Sequence, residues 1–175
     1  MTRAFKTLDD MGDITGKRVL VREDLNVPMA DGAVTDDNRF RAAVQTVAEL
    51  ADKGAIVLIL AHFGRPKVPS PEHSTAQLAR PFSQVLGREV RYIDWEGDAE
   101  STATLQPGDI ALLENTRFFG GEEKNDPATV DRFAALGDLY VNDAFSAAHR
   151  AHASTEGLAH RLPAFAGRQM EAELD

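Results

Sequence analysis

The seven-residue run Ala55-Ile56-Val57-Leu58-Ile59-Leu60-Ala61 leaves little freedom in how this chain folds. It offers no polar side to water, so as a strand it must be covered on both faces, the condition met in a parallel sheet flanked by helices. Shorter runs of strand character recur at Arg18 to Val21, Glu89 to Ile93, Asp109 to Leu113 and Asp138 to Val141. Between them the apolar residues return at helical spacing. Phe40, Val44, Val47, Ala48 and Leu50 mark a helix opened by Asp36 or Asp37 and closed by Gly54. A second helix is predicted from near Arg80 to Leu86, because Pro81 is tolerated only in a first turn, where its missing N–H is not needed. Asp98 to Leu105 reads as a short helix, Asp126-Pro127 opens another that ends at Gly137, and the alanine-rich stretch from Ala144 to Leu158 is expected to be mostly helical. From Pro163 onward the sequence reads as loop and the start of a helix. Five strands joined by helical crossovers predict an α/β fold: a doubly wound parallel sheet with helices on both faces, a Rossmann-like three-layer sandwich.

A length of 175 residues, with 43% hydrophobic and 27% charged, fits one globular domain spanning 1–175. The 28 Asp and Glu outnumber the 19 Lys and Arg, and the net charge of -9 repels a polyanion, so no nucleic-acid partner is expected. Any anion site must be local, and the placement of the arginines matters more than their number. No apolar run exceeds seven residues, against the ~20 of a membrane span, and the charged beginning Met1-Thr2-Arg3-Ala4-Phe5-Lys6 lacks the apolar stretch of a signal peptide. A soluble, cytoplasmic protein with no membrane partner is the expectation. The absence of cysteine removes disulfides, thiolate metal sites and cysteine nucleophiles. Neither Gly-x-x-x-x-Gly-Lys-Ser/Thr nor Gly-x-Gly-x-x-Gly occurs, so no nucleotide-phosphate loop is recognisable.

Ligands of an open parallel sheet bind beyond the carboxyl ends of its strands. The loops expected there are Arg22-Glu23-Asp24-Leu25-Asn26-Val27-Pro28, His62-Phe63-Gly64-Arg65-Pro66, Glu114-Asn115-Thr116-Arg117-Phe118 and Asn142-Asp143-Ala144-Phe145, the last running on to Arg150. With Arg39 at the start of the first helix, Arg65, Arg117 and Arg150 are expected to converge. A single loop arginine is most often a solvated charge, but several around one point suit a small, multiply charged phosphate or carboxylate, which the guanidinium fork matches bidentately. Asp24 and Asn26 add acceptors for a ligand hydroxyl. His62 opens a loop, and a ligand contact and a structural role stay equally open. His149 and His152 have a spacing that suits one helix face, but a metal would need a third ligand that the sequence does not identify, so His152 is read as structural and no metal site is expected. Asp143 and Glu114 are read as supports that orient arginines or cap helices. Gly120-Gly121 suits either a close approach to phosphate or a plain turn.

Four segments carry more than a pattern: Val21-Arg22-Glu23-Asp24-Leu25-Asn26-Val27-Pro28, Ala61-His62-Phe63-Gly64-Arg65-Pro66, Leu113-Glu114-Asn115-Thr116-Arg117-Phe118, and Asn142 to Thr155. In that order, and across Thr7 to Leu174, the chain resembles the amino-terminal domain of the phosphoglycerate kinase family. The resemblance implies that Asp24, Asn26, Arg39, His62, Arg65, Arg117 and Arg150 contact 3-phosphoglycerate. It departs from the family at Glu23 and Leu25, where valine and phenylalanine are usual, at Phe63 for leucine, and at Ser146-Ala147 for Gly-Thr. None of these removes a charged contact, and Glu23 is expected to add negative charge beside the site. The family's carboxy-terminal domain, which takes ADP or ATP with magnesium, is absent from the chain. The expectation is therefore a fragment of a longer, monomeric parent, binding no nucleotide or metal itself and catalytically incomplete.

What the resemblance implies for chemistry is reversible transfer of a phosphoryl group between 1,3-bisphosphoglycerate and ADP, a step of glycolysis. Arg39, at a helix amino terminus, is assigned to the transferring group as the catalytic residue. Arg65, Arg117 and Arg150 are assigned to the spectator phosphate, and Asp24 and Asn26 to the hydroxyl and carboxylate end. One alternative is a stand-alone module that binds phosphorylated metabolites. Another is a receiver-like signalling domain, which would need an Asp after the central strand and a Lys after the last, where the sequence has Arg65 and Asp143.

Overall fold

Strand β1 (Arg18–Arg22) lies between β4 (Ile56–Leu60) and β7 (Leu139–Asn142) in the computed structural model, which describes residues 5–94, 99–147 and 150–174. Arg18 to Arg22 pair in parallel with Ile56 to Leu60, and Val19 to Arg22 with Leu139 to Asn142. Adding β6 (Ile110–Leu113), β5 (Arg91–Ile93) and β8 (Ala164–Ala166) gives the order β5-β6-β4-β1-β7-β8, parallel at every pairing. A two-stranded hairpin, β2 (Met29–Ala30) with β3 (Ala33–Val34), stands apart from this sheet. The doubly wound fold expected from the sequence is the one observed.

Side-chain alternation divides the core in two. Val19, Val21, Val57, Ile59 and Leu112 face α1 (Asn38–Asp52) and α2 (Ala76–Leu86), which contribute Phe40, Val47, Leu50, Leu78 and Phe82. Leu20, Leu58, Leu60, Ala111 and Leu113 face α3 (Pro127–Ala134), with Val130 and Phe133, and the segment holding Ala153 and Leu158. All five residues of β4 are buried, as its unbroken apolar run requires. The last helix, α4 (Arg168–Leu174), packs on α1.

Several local expectations are corrected. Helix α2 begins at Ala76, four residues before Arg80, and takes Pro81 into its interior. Its start is fixed from outside, because Glu114 accepts the Thr75 N–H at 2.9 Å and the Thr75 hydroxyl donates to the Leu113 carbonyl at 2.8 Å. Both aspartates serve the amino end of α1: Asp37 holds the N-cap position, its carbonyl accepting the Arg41 N–H at 3.0 Å and its side chain pairing with Arg41, while the side-chain bond to the helix backbone comes from Asp36, whose Oδ1 accepts the Asn38 N–H at 2.9 Å. Val44 and Ala48 are only half-buried. The helix predicted over Asp98 to Leu105 is a single turn, Ala99–Thr102, and Asp98 lies outside the described residues.

The stretch from Ala144 to Leu158 is not one helix. It holds the short turn Phe145–Ala147 and a π-helical turn Ala153–Gly157. Buried Glu122 captures this segment: its backbone carbonyl accepts from Ala153 N–H at 2.8 Å, and its carboxylate accepts from the N–H and hydroxyl of Ser154 at 2.7 and 2.6 Å. Side-chain bonds of this kind compete with the helical ladder and override alanine's propensity. Strand β8 was expected as loop; at three residues it is too short to show a period, and its pairing with β7 defines it.

Phe82 is fully buried and meets Phe40 with ring centroids 5.3 Å apart. Phe82→Ala should cost about 3–5 kcal/mol of stability through the cavity it leaves, read as a lower urea midpoint at unchanged slope.

Candidate functional site

Four neighbouring strands, β6, β4, β1 and β7, end at one edge of the sheet, and the loops that leave them form a cleft of about 170 Å³. Its lining is Asp24 and Asn26 after β1, Arg39 from the start of α1, His62, Gly64 and Arg65 after β4, Arg117 after β6, and Ser146, Ala147 and Arg150 after β7. The structure thus brings together all seven residues singled out in the sequence. A wider groove of about 1320 Å³ between α1, α2 and the hairpin carries Asp36, Asp37, Arg41 and Arg80, mixed in sign and with Asp37 and Arg41 already paired. Volume alone does not make it a site.

The loops are held by their own polar side chains. Asp24 Oδ1 accepts the Asn26 N–H at 3.1 Å, its Oδ2 accepts the Ser146 hydroxyl at 2.8 Å, and Asn26 Oδ1 accepts the Gly64 N–H at 3.0 Å. Asn115 ties the β4 and β6 loops together by donating to the Phe63 and His73 carbonyls at 2.8 and 2.9 Å. Glu114 and Asp143 act as caps: Glu114 serves the start of α2, and Asp143 Oδ1 accepts the Gln169 N–H of α4 at 2.9 Å. Gly121 faces α3 rather than an anion, since a Cβ there would lie 2.1 Å from the Thr129 hydroxyl, and Gly120 has nothing within 4 Å.

Arg39 is half-exposed, its Nε 3.3 Å from Asp24 Oδ2 and its Nη1 bonded to the Asn26 carbonyl. An ion pair this open is worth about 0–1 kcal/mol, so a ligand anion can take the guanidinium over at small cost. Arg117 is in the opposite condition. Its side chain is 6% exposed, its one ion-pair partner among the described residues is Glu123 at 3.9 Å, and its buried Nε has no acceptor. Burial, with Arg150 and Arg22 adding to it and Glu123 opposing, pulls its pKa down. A desolvated cation with an unused donor is stabilised by an incoming anion.

Behind the cleft lies Arg22, 1% exposed, whose side chain sequence reasoning left without a role. A cation closing an apolar strand was the available signal. Its Nη2 lies 2.8 Å from His62 Nδ1, its Nη1 donates to the Glu23 carbonyl at 2.7 Å and its Nε to Ser154 at 3.0 Å. Arginine has no acceptor, so His62 Nδ1 must be the unprotonated nitrogen and the ring proton sits on Nε2. Burial, then the charges of Arg22, Arg117 and Arg150, push the His62 pKa down to about 3. Among the cations of the cleft, His62 is therefore a neutral donor. Glu23 requires a correction: its side chain is 0% exposed and does not line the cleft, so it adds no charge beside the ligand site. His149 lies outside the described residues, and His152 contributes through its backbone to the turn after it.

The phosphoglycerate kinase family model matches residues 8–175. The chain belongs to the phosphoglycerate kinase family. It is 73% identical over 172 residues to the phosphoglycerate kinase of Novosphingobium aromaticivorans and 66% identical over 176 residues to that of Zymomonas mobilis, covering 98% of this chain and 44% of each relative. Among solved structures, the phosphoglycerate kinase of Coxiella burnetii superposes with a TM-score of 0.89 at 38% identity, covering 97% of this chain and 43% of that one. The enzyme from Pyrococcus horikoshii gives 0.87 at 35% identity, covering 97% and 44%. The chain thus spans less than half the length of the phosphoglycerate kinases it matches.

Nitrogen NMR of the histidines should find His62 with the proton on Nε2 and no titration until well below pH 6.5. A histidine held neutral in the fold but protonated when unfolded stabilises above its unfolded pKa, and that contribution fades as pH falls toward about 3.

Proposed function

We propose that this chain is the amino-terminal, substrate-binding half of a phosphoglycerate kinase. In this reading the cleft takes 3-phosphoglycerate or 1,3-bisphosphoglycerate for reversible phosphoryl transfer with ADP or ATP in glycolysis. The observation that carries it is Arg117, its side chain 6% exposed and its Nε without a hydrogen-bond acceptor, in a cleft shared with Arg39, Arg65 and Arg150. Four guanidiniums with two side-chain acceptors, Asp24 and Asn26, fit a small ligand that combines phosphate, carboxylate and hydroxyl. Asp24 already accepts from Arg39, Ser146 and the Asn26 amide, so the donor set suits an anion and offers no oxygen cage for magnesium.

The chemistry asks little else of these residues. In the direction that forms ATP the nucleophile is a phosphate oxygen of ADP, and in reverse it is the carboxylate of 3-phosphoglycerate. Both are ionised near neutral pH, so no general base is required. What remains is alignment and neutralisation of charge on the transferring group. Arg39 is the proposed catalytic residue: it stands at the amino end of the fifteen-residue α1, whose dipole favours negative charge, and its weak pairing lets it turn to the phosphoryl group. Arg65, Arg117 and Arg150 hold the spectator phosphate, His62 adds its neutral N–H, and Asp24 and Asn26 take the hydroxyl and carboxylate end. Magnesium with the nucleotide is assigned to a carboxy-terminal domain of a longer, monomeric parent, whose closure over the cleft excludes water. Alone, the chain binds without catalysing. No described helix is long and apolar enough to cross a membrane, and a cytoplasmic setting accords with the proposed pathway.

Calorimetric titration with 3-phosphoglycerate should show saturable binding, and titration with magnesium ADP none. Arg117→Ala should weaken the acid's binding by roughly 10- to 100-fold, the loss of charge-assisted hydrogen bonds worth about 1.5–3 kcal/mol. Arg39→Ala, placed in a full-length kinase of this family, should lower kcat far more than it raises KM. A folded chain that ignores 3-phosphoglycerate would refute the assignment of the cleft.

A further inference from the structure

Away from the cleft wall, one buried cluster lacks the donors that burial demands. Glu23 follows the last residue of β1 and Asp143 the last of β7. Because Arg22 pairs with Asn142, the two acids are neighbours across the strands, with the Asp143 N–H donating to the Arg22 carbonyl at 2.9 Å. Both are 0% exposed. Asp143 Oδ1 accepts the N–H groups of Gln169 and Met170 in the first turn of α4, at 2.9 and 3.3 Å, and its backbone carbonyl accepts from Gln169 Nε2 at 2.9 Å. Gly167 rests directly on this carboxyl, since a Cβ there would lie 2.2 Å from Oδ1. With both acids ionised, neither Glu23 oxygen nor Asp143 Oδ2 has a hydrogen-bond partner among the described residues.

Buried polar atoms are nearly always paired, and two bare carboxylates side by side in a dry interior repel. A single proton ends the repulsion and pairs one Glu23 oxygen with Asp143 Oδ2, leaving one acceptor of the three without a donor. We propose that Glu23 and Asp143 share one proton at neutral pH, and that this acid–carboxylate unit is a positioning pair tying the first turn of α4 to the strand ends that carry Asp24 and Ser146.

The neighbours decide which partner bears the proton. Asp143 receives the two α4 amides, which favour its ionised form, and the polar Thr46 side chain of α1 favours it too. Glu23 has no such donors, so it keeps the proton and gives it to Asp143 as a hydrogen bond. Burial first, and then the Asp143 charge, lift the Glu23 pKa well above the carboxylate range; Asp24 adds to this and Arg22 opposes it. Burial raises Asp143 too, against the bonds from Glu23, Met170, Thr46 and Gln169. The other charged groups nearby are engaged with one another. Arg168 of α4 donates to Glu49 of α1 at 2.8 Å, to Asp9 at 2.8 Å and to Glu171 at 2.9 Å. The Arg168 N–H meets Thr46 Oγ1 at 2.8 Å, which joins α1 to the same junction. The pair is a property of the fold and holds whatever ligand the cleft takes.

The sign of its pH dependence is fixed. With its pKa raised in the fold, Glu23 holds a proton that the unfolded chain releases from about pH 4.3 upward, so stability falls as pH rises from there to the folded pKa. Carbon NMR of the 175-residue chain, labelled at the glutamate carboxyls, tests the proton directly. The Glu23 resonance should stay at its protonated position at neutral pH. In Asp143→Asn, which keeps an oxygen for the α4 amides and presents a neutral NH₂ to Glu23, it should titrate at least tenfold more readily, a drop of one pH unit or more. Glu23→Gln should melt several degrees above the parent at about pH 9 and level with it at about pH 5. In Glu23→Ala the amides of Gln169 and Met170 should exchange with solvent about tenfold faster relative to those of β4. A Glu23 that titrates near its ordinary value, about 4.3, overturns the shared proton whether or not the variants fold. Unchanged exchange at Gln169 and Met170 overturns the positioning role.

Discussion

The cleft depends on one buried cation. Arg22 lies at the end of the central strand with 1% of its surface exposed, and each arm of its guanidinium needs an acceptor there. The Glu23 carbonyl, His62 just past the neighbouring strand and Ser154 on the π-helical turn supply them, and Ser154 passes the demand to the buried carboxylate of Glu122. Removing one member of such a set leaves an unmatched charge in the interior, at a cost of about 3–5 kcal/mol. This requirement sets the tautomer of His62 and pins the loop that leads back from Arg150.

The same arrangement gathers positive charge at one point of an acidic chain, as the proposed anion site requires. With a net charge of -9 the protein repels anions at long range, but salt screens that repulsion beyond about 8–10 Å. Inside the cleft the near field is set by Arg39, Arg65, Arg117 and Arg150, which converge from four separate elements. The cleft residues leave strand ends or open α1, so a rigid sheet fixes their spacing while the hydrophobic work is done elsewhere, by Val21, Leu58 and their neighbours. Asp24 is the one carboxylate in the lining. Its ion pair with Arg39 holds that guanidinium at the cleft.

Much of this was legible in the sequence because the signals were local and repeated. The unbroken run of β4 announced a strand buried on both faces, and parallel strands then sent the loops that carry Arg65, Arg117 and Arg150 to the same edge. The failures were tertiary. Alanine propensity after β7 lost to Glu122, which binds the backbone of Ala153 and Ser154 from a distant position. Pro81 seemed bound to the first turn of α2, yet contacts from Glu114 and Leu113 began the helix before it. A glutamate next to Asp24 read as a charge beside the ligand, since sequence carries the alternation within a strand but not the burial of the residue just past its end. The convergence of the seven cleft residues was foreseeable from topology, whereas the roles of Arg22 and Glu122 required knowing what lies beneath the loops.

The two outermost strands of the sheet, β5 and β8, are each three residues long. An exposed strand edge is a template on which another chain can build, and length makes it dangerous. Here β5 also carries Arg91, flanked by Glu89, and β8 is met by a bridge from Thr7 to Ala166 and by a bond from the Ala166 N–H to the Lys6 carbonyl at 2.7 Å. The longer, wholly apolar strands are all interior to the sheet. Among the described residues the six-stranded sheet therefore shows its surroundings only short, charged or occupied edges, which guards it against being extended by a neighbouring chain.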